Sequence, residues 1–195
     1  MKAIKEIFSR LFVLAIKNKI NLYAFTYLLG QSEFLKKVEN GVYDDYFNKS
    51  LEEIFFDITN KHIDSDDSYG IYDDAYWCGS SYFELFQKTR KPFSYIFLKL
   101  PLERMMCIYP VYHEMDITSL IGFFTQAEKN KTILRLLCES SGYSLTKLSQ
   151  ATGINSATLA KYNASDEALY KGSFQNVIKI ANFFKAPINL FVETI

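Results

Sequence analysis

The stretch "SLTKLSQATGINSATLAKYN", residues 144–163, decides the fold prediction for this chain. Ser144 is placed to cap a helix over residues 145–152, and Gly153 supplies the backbone freedom that a sharp turn needs after a helix end. Asn155 is placed to cap a second helix directly after this turn. Two helices joined by so short a turn are expected to cross at a steep angle, so the second helix would protrude as a ridge.

The second helix, predicted over residues 156–163, has an apolar side and a small polar side. Leu159 and Tyr162 are expected to face inward. The positions expected to face outward are Ser156, Ala157, Ala160 and Lys161. On the first helix we expect Leu145, Leu148 and Thr152 to mark one face and Ala151 to lie on the tight side.

Together with "TILRLLCESSG" before it and "GSFQNVIKIANFFKAPINLF" after it, this stretch resembles the five-helix domain of the phage-repressor (Cro and cI, XRE-type) helix-turn-helix family. The resemblance covers residues 132–191. Its closing pattern consists of Ile178, Ala181, Phe184, Pro187 and Leu190. The resemblance implies a DNA-binding domain over residues 129–195, whose second motif helix enters the major groove of double-stranded DNA.

The resemblance also implies a set of contacts with DNA. These are Ser144, Lys147 and Lys171 to the phosphate backbone, and Asn155, Ser156, Ala157 and Lys161 toward base edges. The sequence departs from the family in two ways: Leu145 stands where Gln is frequent, and no arginine follows Arg135. A bidentate arginine contact to guanine is therefore not available from the second motif helix, and a homodimer on two half-sites is expected.

Composition and charge are those of an ordinary globular protein. The 195 residues are 49% hydrophobic and 23% charged, and the formal net charge is zero. Residues 131–195 contain 7 Lys+Arg against 4 Asp+Glu, whereas residues 1–130 contain 15 against 18. Attraction to nucleic acid is therefore expected only from the C-terminal part.

The cysteines and apolar runs favour a cytoplasmic location without membrane contact. Cys78, Cys107 and Cys138 are far apart, with neither the paired spacing of a zinc site nor the even number of a disulfide framework. The apolar run "LFVLAI" is too short for a signal peptide, and nothing reaches the length of a membrane span.

Residues 1–128 are predicted to form a separate helical domain of unknown function, so the expected fold class is mostly all-α with two domains. This region resembles only uncharacterised parts of phage and mobile-element proteins, which implies no activity. Apolar residues at helical spacing predict one amphipathic helix from Ile4 to Leu29, and Ser50 with Glu53 forms a capping box that opens another. The run "PFSYIFLKL" fits either a helix or a buried strand.

The segment "AYWCGSSYFELFQKTRK" is predicted to be a helix that supplies aromatic side chains to the core. Tyr76, Trp77, Tyr82 and Phe83 are more typical of a core than of a ligand cage. The Gly79-Ser80-Ser81 step within this segment lacks the glycines and lysine of a phosphate loop, but it allows another helix to approach closely.

Two sequence patterns suggest metal binding or catalysis, but neither contains all the residues that such a site needs. In "DSDDSYGIYDD", residues 64–74, a calcium loop starting at Asp64 would have its glycine at position seven and Ala75 at position twelve, so a solvated turn is favoured. In "YHEMD", His113 is expected at the negative end of its helix and Asp116 as the cap of the next helix. We therefore expect no catalytic residue, no metal site, no cofactor and no enzymatic activity.

These expectations lead to a first hypothesis: a DNA-binding transcriptional regulator of the repressor type, acting on its own operon on a phage or mobile element or in a toxin–antitoxin pair. The alternative is a protein-binding module, an antitoxin or an inhibitor of a defence system. It would use the helix-turn-helix fold or the aromatic N-terminal domain as its interaction surface. A third hypothesis, that the N-terminal domain is a nuclease, is supported only by His113, Glu114 and Asp116.

Overall fold

The computed structural model describes residues 2–63, 72–186 and 188–191, and within them the chain is all-helical with no β-strand. The all-α prediction is therefore confirmed for this part of the chain. The α-helices are α1 (Lys2–Lys17), α2 (Leu22–Gln31), α3 (Glu33–Glu39), α4 (Leu51–Thr59), α5 (Asp73–Thr89), α6 (Phe93–Lys99), α7 (Leu102–Tyr112), α8 (Ile117–Asn130), α9 (Ile133–Ser141), α10 (Leu145–Thr152), α11 (Ser156–Ala164), α12 (Asp166–Tyr170) and α13 (Phe174–Phe184). Two short 3-10 helices cover Asp44–Asn48 and Ile188–Phe191.

The chain divides into two compact units, Met1–Gly122 and Phe123–Ile195. The division falls inside α8, six residues before the boundary after residue 128 that the sequence predicts. The first unit contains α1 to α7, and the second contains α9 to α13.

The first unit is organised around a buried aromatic cluster between α1, α2, α5 and α6. Phe12 meets Phe25 with ring centroids 5.2 Å apart, and Phe8 lies 4.8 Å from Phe93. Tyr82 is fully buried, and its hydroxyl donates to the carbonyl oxygen of Leu100 at 2.7 Å. The aromatic rings pack against one another, and the hydroxyl of Tyr82 still has a hydrogen-bond partner.

The crossing of α1 and α5 depends on Gly79, as the glycine step in the sequence predicts. A Cβ atom at this position would lie 2.6 Å from the Cα of Ser9 and 3.1 Å from the backbone oxygen of Phe8. Ser9 is itself fully buried, and its hydroxyl donates to the carbonyl oxygen of Lys5 at 2.9 Å. The two backbones are therefore too close for any side chain at residue 79.

The single helix predicted from Ile4 to Leu29 is wrong, because two helices cover this segment. Helix α1 ends at Lys17, and Lys19 adopts a left-handed conformation with φ of 53°. Asn21 then caps α2 by accepting a hydrogen bond from the backbone N–H of Ala24 at 2.9 Å. The apolar spacing continues across the break, so hydrophobic periodicity alone does not reveal it.

Local capping signals elsewhere in the first unit are confirmed. The capping box of Ser50 and Glu53 is present at the start of α4, and Asp116 accepts from the backbone N–H of Thr118 at 2.7 Å at the start of α8. The run "PFSYIFLKL" forms helix α6, which resolves the alternative in favour of a helix. Most of the proposed solvated turn, residues 64–71, lies outside the described residues.

The core assignment for the aromatic residues of α5 is correct for two of them. Tyr82 and Phe83 are buried, Trp77 is half-buried, and Tyr76 is 39% exposed. The prediction is wrong for Tyr76 because its hydroxyl donates to the carboxylate of Glu6 on α1, at the rim of the core. A tyrosine can meet the core with its ring edge and keep its polar end in solvent.

The second unit combines a small aliphatic core with a side-chain cap at the start of every helix from α9 to α13. Leu148, Ile154, Leu159 and Leu190 are buried in this core. Ile178, from the closing pattern of the resemblance, is only half-buried, since α13 instead turns its neighbours inward. These inward residues are Val177, Ile180 and Ala181. The capping residues are Thr132, Ser144, Asn155, Ser165 and Ser173.

Candidate functional site

The site is built by α10, the turn at residues 153–155, and α11. Gly153 has a φ of 69°, and its N–H donates to the carbonyl oxygen of Ser149 at 2.8 Å, which ends α10. Asn155 begins α11 by accepting from the backbone N–H of Ala157 at 2.8 Å. The predicted bounds of the first helix are correct, and the second helix is one residue longer than predicted.

The two sides of α11 are those that the sequence predicts. Leu159 and Tyr162 are buried, and Tyr162 accepts a hydrogen bond from the side chain of Asn176 at 3.4 Å. All four positions expected to face outward are exposed: Ser156, Ala157, Ala160 and Lys161. Positions i, i+1, i+4 and i+5 lie on the same side of a helix, so these four residues form one surface. We call this surface the α11 face.

The start of α10 lies at the exposed surface of the second unit. The hydroxyl of Ser144 accepts from the backbone N–H of Lys147 at 3.2 Å. The Nζ of Lys147 lies 4.6 Å from the ring centroid of Tyr143, which restrains an otherwise exposed side chain by a cation–π contact. Leu145 is half-buried, so its apolar side chain partly joins the core.

Ser149 is a residue of the site that the sequence does not single out. Its hydroxyl donates to the carbonyl oxygen of Ile154 in the turn at 2.7 Å and lies 3.3 Å from the hydroxyl of Ser156. Ala151, expected on the tight side of α10, is exposed, so that prediction is wrong. The small residue that faces the turn is Ser149, and its place four residues before Gly153 was the available signal.

Lys171, the third lysine implied to contact DNA, forms an ion pair with Glu167 within the end of α12 and the turn after it. A hydrogen bond from Lys171 holds the pKa of the Glu167 carboxyl below its ordinary value, so this carboxylate is ionised at neutral pH. Lys147 and Lys161 differ from Lys171, because neither forms an ion pair within the described part of the chain.

Asp166, an acidic residue close to this surface, has a structural role in the second unit. Its carboxylate accepts from the backbone N–H of Ile133 at 2.6 Å, and the hydroxyl of Thr132 donates to the carbonyl oxygen of Asn163 at 2.9 Å. These bonds tie the start of α9 to the junction of α11 and α12. Asp166 therefore stabilises a helix start that is 33 residues away in sequence.

A polar groove of about 500 Å³ lies at this junction. It is lined by Glu128, Lys129, Lys131, Thr132, Arg135, Asn163, Ala164, Ser165 and Asp166. Lys131 and Arg135 both bind Glu139, at 2.6 and 3.1 Å, and their hydrogen bonds hold the pKa of that carboxyl below its ordinary value. Two of the three cations that line the groove therefore already pair with a carboxylate.

The trio considered for metal binding or acid–base work does not assemble into a compact site. The Nδ1 of His113 lies 2.8 Å from the carbonyl oxygen of Tyr109, and Asp116 is engaged at the start of α8. Within residues 2–63, 72–186 and 188–191, no group of three His, Cys, Asp or Glu side chains is arranged to hold a metal ion. None of the helices in those ranges is long and apolar enough to cross a membrane.

Comparisons of this chain with protein-family models, with curated proteins and with solved structures each give no match.

Proposed function

We propose that this protein is a DNA-binding transcriptional regulator of the repressor type, and that α11 enters the major groove of its operator. The observation that carries the proposal is the α11 face. It is exposed, it contains small side chains that allow close approach to base edges, and its lysine has no carboxylate partner in the described residues. The capped start of α10, with Ser144 and Lys147, supplies the accompanying phosphate contact.

The polarity of the capping bonds supports this assignment. The side-chain oxygen of Asn155 accepts from the backbone N–H of Ala157, which leaves its NH₂ group available as an outward donor. Outward donors fit phosphate oxygens and the acceptor atoms of purines in the major groove. Asn155, Lys147 and Lys161 therefore all present donors to a polyanion.

Binding by one such unit is expected to be weak. Its implied DNA contacts include three lysines, and one of these already binds Glu167. Each neutralised phosphate contributes about −0.9 to the slope of log affinity against log salt concentration. A single unit should show a slope of roughly −2 to −3, and a homodimer about twice that value. We propose a dimer that binds two half-sites about one helical turn apart.

The test is fluorescence anisotropy of the full-length protein on labelled duplexes, including the DNA upstream of its own coding sequence, between low and moderate salt. We expect salt-dependent binding that Lys147→Ala weakens equally on all sequences, while Lys161→Ala also reduces discrimination between them. Lys179→Ala is the matched control, since Lys179 is exposed on α13 and outside the implied contacts. Failure to bind any duplex at low salt would overturn the proposal.

A protein-binding module remains the second candidate function, and one observation favours it. Phe174 at the start of α13 is 69% exposed, and Lys161 is the only charged side chain on the α11 face. Exposed aromatic side chains are enriched where proteins bind proteins. Under this function the antitoxin or inhibitor would bind its partner at α11 and Phe174, and Phe174→Ala would abolish partner binding while leaving DNA affinity unchanged.

A further inference from the structure

We infer that Ser149 sets the hydrogen-bond polarity of Ser156, so that Ser156 reads an amino group on a base and does not bind phosphate. The inference deepens the proposed function and rests on it. It concerns two serines, one on each motif helix, whose hydroxyl oxygens lie 3.3 Å apart.

The first step is a count of hydroxyl hydrogens. A serine hydroxyl has one hydrogen to donate and two lone pairs with which to accept. Ser149 donates its hydrogen to the carbonyl oxygen of Ile154 at 2.7 Å, which is an ordinary length for this bond. Ser149 has then no hydrogen left for Ser156. In the contact between the two hydroxyls, Ser156 must therefore be the donor.

The second step follows from the position of Ser156. It is the first residue of α11, it is exposed, and it lies on the α11 face. Because its hydrogen points back toward Ser149, its outward side presents lone pairs only. A phosphate oxygen is also an acceptor, so in this orientation the hydroxyl does not donate to the DNA backbone. A base edge with an amino group is the partner that it fits.

The third step identifies that partner. In the major groove the amino donors are N6 of adenine and N4 of cytosine, while guanine and thymine present acceptors at the corresponding positions. Ser156 should therefore favour adenine or cytosine on the strand that it contacts. Asn155, one residue earlier, has its side-chain oxygen engaged in the cap and its NH₂ group available as a donor. The first turn of α11 thus presents a donor and an acceptor in fixed order.

The expected preference is modest. The distance of 3.3 Å between the two hydroxyls is longer than that of a strong O–H···O bond, so the Ser156 hydrogen is held more weakly than that of Ser149. A single neutral hydrogen bond changes an equilibrium by about 2- to 10-fold. We expect a preference of that size at one base-pair position of each half-site.

The first experiment is selection of binding sites from a random duplex library by full-length wild-type protein, followed by a double-mutant cycle. The best duplex is remade with the amino group removed at the preferred position, using purine in place of adenine or pyrimidin-2-one in place of cytosine. Wild-type protein should lose about 2- to 10-fold in affinity, and Ser156→Ala should lose nothing further from the same change. Ser173→Ala, which removes a helix cap elsewhere in the second unit, should respond like wild type.

The second experiment tests Ser149 as a positioning residue. Ser149→Ala leaves the Ser156 hydroxyl free to rotate and donate, so the preference at that position should relax while affinity for non-selected DNA is kept or rises. Ser149→Thr retains the hydroxyl and should restore the preference. Thermal melting of each variant shows whether it still folds. If Ser149→Ala does not fold, the double-mutant cycle on Ser156 still tests the inference.

The outcomes separate this inference from the proposed function. If the library yields no enriched sequence, the proposed function fails and the inference fails with it. If sequences are enriched but Ser156→Ala responds to loss of the amino group as wild type does, the inference alone is overturned. A preference of wild type for guanine or thymine at that position would overturn it equally.

Discussion

The two units are stabilised in different ways. In the first unit, α1 and α5 approach closely at Gly79, and the core is filled by aromatic rings brought from helices that are far apart in sequence. In the second unit the helices are short, every helix from α9 to α13 begins with a side-chain cap, and the core is mainly aliphatic. The fold of the first unit depends on contacts between residues far apart in sequence. In the second unit, side-chain caps between near neighbours in the chain mark where each helix begins.

This difference explains why a function can be proposed for the second unit only. Caps and glycine turns fix where α10 and α11 begin and end, and thereby which side chains are exposed on them. The aromatic cluster of the first unit is buried, so the residues that fix its fold are not available at the surface. The following predictions test this contrast, beginning with the largest expected effect.

The largest effect is expected when a central core side chain of the second unit is removed. Leu159 is fully buried on α11, so Leu159→Ala should lower the free energy of unfolding by about 2–5 kcal/mol, measured by chemical denaturation of the full chain. Leu145→Ala is the matched control, because Leu145 is only half-buried and should cost clearly less. Equal effects of the two substitutions would show that α11 is not packed as described.

The close helix crossing of the first unit should be sensitive to a single methyl group. Gly79→Ala would place a Cβ atom 2.6 Å from the Cα of Ser9, and the forced backbone shift should cost about 1–3 kcal/mol. Gly122 in α8 is the control, since a Cβ atom there meets nothing within 4 Å. Gly122→Ala should stabilise by about 0.5–1 kcal/mol through helix propensity, so opposite signs in denaturation experiments would support the crossing.

The sequence reveals those parts of the fold that depend on neighbours in the chain. Ser144, Gly153 and Asn155 were sufficient to predict α10, its turn and the start of α11. The carboxylate of Asp166 on the N–H of Ile133, by contrast, joins residues that no local pattern relates. The break at Lys19 was hidden for another reason, because apolar spacing continues through it.

The sequence predicts the exposed side of α11, but not the bonds within the candidate site. The seven residues implied to contact DNA come from the resemblance alone, and their contact with DNA stays a prediction. The i,i+4 spacing of Glu167 and Lys171 is a local signal for their ion pair, whereas nothing in the motif predicts the hydrogen bond from Ser149 to Ile154. Hydroxyl polarity depends on side-chain positions, which sequence spacing constrains only loosely.

The stability that one carboxyl group contributes in each unit should depend on pH with opposite signs. Glu39 accepts from the backbone N–H of Phe93 at 2.7 Å, and burial raises its pKa above the ordinary value of 4.5. The folded state thus holds this proton more tightly than the unfolded state. The contribution of Glu39 to stability is therefore greatest at low pH and falls as pH rises from about 4.5 through the raised pKa.

Glu139 in the second unit should show the opposite sign. Hydrogen bonds from Lys131 and Arg135 lower its pKa, so its contribution is present above pH 4.5 and is lost as pH falls through the lowered pKa. Urea denaturation between pH 3 and 7 (roughly the range set by carboxyl pKa values) should show that Glu39→Gln gains relative to wild type as pH rises, and Glu139→Gln loses. The same sign for both variants would contradict the assigned causes.

The smallest effect is expected at the edge of the proposed DNA surface, where Glu167 binds Lys171. The carboxylate both competes with phosphate for this lysine and repels the DNA backbone, so Glu167→Gln should raise affinity for every duplex by about two- to fivefold at low salt. Screening should remove most of the gain at high salt. Glu52→Gln, which removes the same charge from the first turn of α4, should leave affinity unchanged. An equal gain from both variants would assign the effect to net charge, and no gain from Glu167→Gln would place Lys171 outside the DNA contact.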